Sequence, residues 1–226
     1  MRDSSRSSLS SLRAKEEREE SLKSAPSVKK CSELCSKEQV WEQLTPCERA
    51  AMGHVDSVAQ ANQVAALPAL GARVKTVGFE ANDLDACLAY IRDDAPILVH
   101  FNARTLNHPC KDPWCRSQFE TGTSIGSFGH TIRKSWQDAM LSKVCASARK
   151  EERPKYGCLN ITGDIQGGKG ARMYGDFFIT LAPAVRLHTS FANMDTGGQG
   201  GRGKMATNCW YAHVLAEFTD TELKCV

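Results

Sequence analysis

The chain has 226 residues, 41% hydrophobic and 24% charged, with a formal net charge of +3. That composition suits a folded domain and excludes collagen-like, coiled-coil and transmembrane-bundle chains, because no apolar run approaches the roughly 20 residues a bilayer requires. The charge is too small to argue nucleic-acid or membrane binding from bulk electrostatics.

The N-terminus is not a secretory signal: Arg2, Asp3 and Arg6 lead into serines and charges with no apolar centre. A Ser- and Arg-rich start would suit an organelle transit peptide, but Glu16, Glu17, Glu19 and Glu20 oppose that reading. A cytoplasmic chain is expected, and the ten cysteines are then read as reduced thiols. Residues 1–38 hold 11 serines, 16 charged residues and no aromatic. Such a tail cannot bury enough apolar surface to offset its ordering entropy, so it is expected to be disordered.

A single domain is expected over residues 40–195. Thr45-Pro46 with Glu48 reads as a helix start, with the helix running to about Gln60 and burying Ala50, Val55 and Val58. A second helix opens near Asn82, carries Leu84, Cys87, Leu88 and Ile91 at helical spacing, and stops at Asp93-Asp94. The run Ile97-Leu98-Val99-His100-Phe101 reads as a buried strand. Residues 132–148 read as an amphipathic helix through Ile132, Trp136, Met140 and Val144. Two further strands are expected over Tyr156–Ile161 and Met173–Leu181, separated by the hairpin or loop Gly163–Gly170. Five glycines within Gly197–Gly203 break any element, leaving residues 196–226 as a linker and a short closing strand or helix. Helices first and strands afterwards imply an α+β fold with a small mixed or antiparallel sheet.

The stretch Arg116-Ser117-Gln118-Phe119-Glu120-Thr121-Gly122-Thr123-Ser124-Ile125-Gly126 gathers a guanidinium, an amide, a carboxylate and hydroxyls before glycines. Such a loop lets backbone N–H groups approach an anion, although a plain polar surface turn has the same composition. It is not a P-loop, because no Lys-Ser or Lys-Thr pair follows. His100, at the end of its strand, is either a site residue or a hydrogen-bonded core histidine. Arg104 just beyond it offers a fork for phosphate or carboxylate. Arg153 and Lys155, around Pro154, read as a helix–strand joint that can present cations to a phosphate, beside Tyr156. Arg116 and Glu120, four residues apart, are expected to pair. His108, Cys110 and Cys115, with Cys31 and Cys35, do not make the paired short spacings of structural zinc, so no metal is expected.

Several segments together resemble one family. They are Leu44-Thr45-Pro46 with Arg49-Ala50-Ala51; Val99-His100-Phe101 with Arg104; Arg116 through Gly122; Glu152 through Gly157 with Leu159-Asn160; Tyr174-Gly175-Asp176; and Leu181 through Val185 with Thr189 and Phe191. In order, they resemble the uncharacterised family known as domain of unknown function 3626, over about residues 44–195, and the chain is expected to be a truncated or divergent member. The family's layout is similar to ADP-ribosyltransferase-like folds. The resemblance therefore implies an NAD-using enzyme that clamps the dinucleotide and transfers to a protein acceptor. Arg104 or Arg116 would hold the ribose or phosphate, with Gln118, Arg153 and Tyr156 also on the ligand. Thr123 or Ser124 would orient the first strand. Glu120 or Glu217, with His100, would be catalytic. The alternative is a non-catalytic nucleotide- or protein-binding module whose site is decayed or truncated.

Overall fold

The computed structural model describes residues 37–103, 116–122, 129–195, 197 and 204–226. The tail expected over residues 1–38 lies almost wholly outside them. A short helix α1 (Lys37–Gln43) precedes the long helix α2 (Pro46–Thr76). Thr45 caps α2 as expected: its hydroxyl accepts from the Glu48 N–H, and the Glu48 carboxylate accepts from the Thr45 N–H at 2.8 Å. The helix does not stop near Gln60 but runs for 31 residues. Ala65, Ala66, Leu67, Ala69, Leu70 and Ala72 favour its continuation. Pro68 removes one backbone donor, and the carbonyl thereby freed belongs to Val64, a residue 68% exposed. The buried stripe is Val55, Ala59, Leu70 and Val74; Ala50 and Val58 are exposed instead.

Helix α3 (Ala81–Asp93) follows, buried at Leu84 and Ile91. Its last carbonyls are capped from a distance. The buried Arg186 guanidinium donates to the Ile91 carbonyl at 2.8 Å and to the Ala95 carbonyl. Strand β1 (Ile97–Phe101) falls where the apolar run predicts.

Beyond it lie the one-turn helix α4 (Gln118–Thr121) and helix α5 (His130–Met140). Helix α5 ends eight residues before the expected limit because Ser142 and Lys143 adopt left-handed φ values of 48° and 63°. Its buried position is Gln137, whereas Ile132 is 46% exposed.

Strands β2 (Cys158–Leu159) and β3 (Phe177–Thr180) are shorter than expected and do not form a hairpin. They flank β1 on either side, both antiparallel to it, with Ile97 opposite Leu159 and Phe101 opposite Phe177. Between them Lys169–Tyr174 coils into a 3₁₀ helix, which Gly175 terminates at φ 144°. A Cβ at Gly175 would lie 2.0 Å from the Phe101 carbonyl oxygen, so the close crossing over β1 requires glycine. A second 3₁₀ helix (Pro183–His188) carries Arg186. A two-stranded antiparallel sheet of β4 (Ser190–Ala192) and β5 (Met205–Thr207) comes next. The chain closes on α6 (Ala212–Leu215) and α7 (Asp220–Leu223). The fold is α+β, with helices first and small antiparallel sheets after them.

The main core joins α2 (Leu70, Val74), α3 (Ile91), β1 (Ile97), β4 (Phe191) and the C-terminal stretch (Tyr211, Val214, Leu215). Each such large apolar side chain contributes about 1.5–3 kcal/mol by leaving water. A satellite cluster of Val55, Leu141 and Cys145 sits against the start of α2. Among the described residues, no helix is long and apolar enough to cross a membrane.

Candidate ligand-binding face

The stretch Arg116–Gly122 is organised by its own side chains. Ser117 caps α4, its hydroxyl accepting from the Glu120 N–H while the Glu120 carboxylate accepts from the Ser117 N–H at 2.5 Å. Gly122, at φ 71°, closes the turn with its N–H on the Gln118 carbonyl at 3.0 Å. The signature Ser-x-x-Glu is a capping box.

Phe119, the buried residue of this turn, forms the underside of the site. The Arg153 guanidinium lies over its ring, 5.2 Å from the centroid. Arg153 donates to Gln137 Oε1 at 3.2 Å and to the Cys145 carbonyl at 3.4 Å, and stands 3.6 Å from Asp138. Gln137 in turn donates from Nε2 to the Tyr156 hydroxyl at 2.6 Å. Lys155 Nζ is 3.7 Å from the Glu120 carboxylate. The structure thus links Arg153, Gln137 and Tyr156 by hydrogen bonds and pairs the adjoining Lys155 with Glu120, while Gln118 and Arg116 lie on the same turn as Glu120.

Roles within this group differ from those expected. Arg153 is not offered to solvent: its side chain is 4% exposed and holds internal partners. Glu120 places its carboxylate on the Ser117 N–H and beside Lys155, and the Arg116 charge acts on it as well. Burial opposes its ionisation, but the Ser117 hydrogen bonds, Lys155 and the nearby Arg116 charge together hold its carboxyl below the ordinary range. The Gln118 side-chain nitrogen is buried with no acceptor among the described residues.

Beside this group the sequence singled out too little. Tyr174 donates to Asp195 at 2.9 Å, and Asp195 accepts from the Gly197 N–H at 2.8 Å. Gly197 lies against the Trp136 ring, so close that a Cβ there would be 3.2 Å from it. Burial and Asp195 raise the Tyr174 pKa, while the Arg133 charge lowers it and Tyr156 adds a smaller upward push. Arg133, Trp136, Tyr156 and Tyr174 therefore share one neighbourhood. Trp136 read as core from its helical spacing, and nothing in the sequence ties it to Asp195.

His100 belongs to the interior. Its Nδ1 pairs with the Gly175 carbonyl at 2.9 Å, and its ring packs on Phe178. Its Nε2 faces Gly167, where a Cβ would come within 2.5 Å, and has no partner among the described residues. Glu217 belongs to a different set of contacts: it pairs with Lys204, and its charge reaches His213. Arg104, Thr123 and Ser124 lie outside the described residues, as do His108, Cys110, Cys115, Cys31 and Cys35. Among the described residues, no group of three or more His, Cys, Asp and Glu is arranged to hold a metal. A separate open hollow of about 370 Å³ lies between α2, α3 and the Asn208–Tyr211 turn. Its arginine, Arg92, is paired with Asp93 at 2.7 Å.

The architecture is that of an α+β domain whose polar network sits on a capped turn, a short helix and a helix–strand joint. The model of the family described as protein of unknown function (DUF3626) matches residues 103–221, more than half of the chain, and the chain belongs to that family. The match begins after β1, later than the likeness at Leu44 suggested. It continues past residue 195, through the glycine-rich stretch and α6, and ends in the first turn of α7. No curated protein matches the chain.

Proposed function

We propose that the face built by α4, α5 and the Arg153–Tyr156 joint binds a nucleotide-type ligand, and that NAD or ADP-ribose is the form it accepts best. The observation that carries this reading is the shared neighbourhood of Tyr156, Tyr174, Trp136 and Arg133, next to the Glu120–Lys155 pair. Tyr156 is 43% exposed and offers a stacking surface, and the cations suit phosphate. The fuller form of the reading is ADP-ribosyl transfer, with NAD as substrate and a protein as acceptor. An ionised Glu120 suits the positive charge that develops on a ribose as nicotinamide leaves. The commitment of that same carboxylate to the cap and to Lys155 favours a second reading, a nucleotide-binding module without catalysis.

Glu120→Gln separates the two, because glutamine also serves at this position of a capping box. Calorimetric titration with NAD and ADP-ribose should show binding by the wild type, weakened at least tenfold in Arg116→Ala. Nicotinamide release from NAD that disappears in Glu120→Gln, with binding retained, supports transfer. Binding without any release supports the module. If neither nucleotide binds nor raises the thermal midpoint, the proposal is wrong.

A further inference from the structure

Cys47 and Cys145 are 98 residues apart in sequence, yet their sulfurs stand 3.3 Å apart. Cys47 is half-buried in the first turn of α2, and both are free thiols. Cys145 is 2% exposed and packs with Val55 and Leu141 in the satellite cluster. A disulfide bond is about 2.05 Å long, so the sulfurs must close by roughly 1.2 Å. The segment around Cys145 can accommodate that. It is a series of i→i+3 turns, Val144 N–H to Leu141 and Ala146 N–H to Lys143, rather than a continuous α-helical ladder.

We propose that Cys47 and Cys145 are an oxidant-responsive pair that closes into a disulfide, fastening the first turn of α2 to the turns after α5. The oxidant class is a peroxide. Cys47, the more accessible sulfur, attacks one peroxide oxygen; the O–O bond breaks, a water leaves, and Cys47 becomes a sulfenic acid. The Cys145 sulfur then attacks the Cys47 sulfur, and the S–O bond breaks. The departing hydroxide takes the Cys145 proton and leaves as a second water. Two thiols lose two electrons in all, and one hydrogen peroxide gains them. Burial and the neighbouring Cys47 push the Cys145 thiol up to about 12, so the first attack on peroxide falls to the more accessible Cys47.

This pairing does not depend on the nucleotide reading. The full chain, treated while folded with hydrogen peroxide, would be alkylated, digested without reductant and mapped by mass spectrometry. The expected product links the peptides holding Cys47 and Cys145, with a melting midpoint that rises and returns with dithiothreitol. In Cys145→Ser the reaction should stop at a Cys47 sulfenic acid, trapped as its dimedone adduct. A folded protein in which Cys47 stays unlinked, or links to exposed Cys209 or Cys225 as readily, overturns the proposal. So does a Cys145→Ser protein without the adduct, or a Cys47–Cys145 link that leaves the midpoint unmoved.

Discussion

Replacing Arg153 tests whether the polar network beneath Tyr156 is a structural centre. Arg153→Ala removes a guanidinium that donates to Gln137 and to the Cys145 carbonyl and lies over Phe119. It also takes a cation from Asp138, a carboxylate only 17% exposed. Breaking a buried ion pair commonly costs about 3–5 kcal/mol, because one charge is left without a partner. Here the loss is at the lower end, since Lys134 remains 2.7 Å from Asp138 and compensates part of that charge. The stacking over Phe119 contributes on the order of 1–2 kcal/mol, and these losses overlap rather than add. A destabilisation of about 3 kcal/mol is expected, or a midpoint drop of roughly 6–12 °C for a chain of this size. Arg153→Lys keeps the charge but loses the planar fork, and should fall between the two. Urea unfolding of the three proteins, with unchanged slopes, measures this directly. A loss below about 1 kcal/mol in Arg153→Ala, on the scale of an exposed pair, would show that the buried network does not hold the site together.

Gly175→Ala places a Cβ about where the Phe101 carbonyl stands and forces a side chain onto a φ of 144°. It should lose roughly 2 kcal/mol or more, read by thermal melting, whereas Gly53→Ala, where no atom lies within 4 Å, should not. His213, buried at the β5–α6 junction, has its pKa lowered below 6.5, first by desolvation and then by the Lys204 charge, against the Met205 hydrogen bond. Its folded value is below its unfolded one, so its contribution is full above about pH 6.5 and is lost as pH falls. Stability measured from pH 7.5 to 5 should decline more steeply in the wild type than in His213→Gln; parallel curves would contradict this.

Local rules made part of the fold readable. The Thr45-Pro46-x-Glu48 pattern announces α2, and five consecutive apolar or aromatic-flanked residues announce β1, because caps and burial write themselves into neighbouring positions. The full length of α2 is not legible because, beyond Gln60, its buried residues Leu70 and Val74 are set by packing against the chain's last turns. The site was legible only as a list of residues. Ser117 and Glu120 spell a capping box, yet their polarity also suits a ligand loop. Buried Gln137 and Arg153 cannot be found by hydrophobic patterning at all, since polar side chains enter a core only where tertiary partners satisfy them. The insertion of β1 between β2 and β3 is equally silent in sequence, because pairing across sixty or more residues leaves no local period.

The apolar stripe of α2 finds its partners very late in the chain. Arg73 reaches the Phe218 carbonyl across 145 residues, and Leu70 and Val74 pack with Val214 and Leu215. A ribosome adding roughly 5–20 residues per second needs about 7–30 s to cover that span. Throughout that interval Leu70 and Val74, half of the helix's four buried positions, lack their C-terminal partners. The packing of this helix is therefore completed only by residues made well over a hundred positions later.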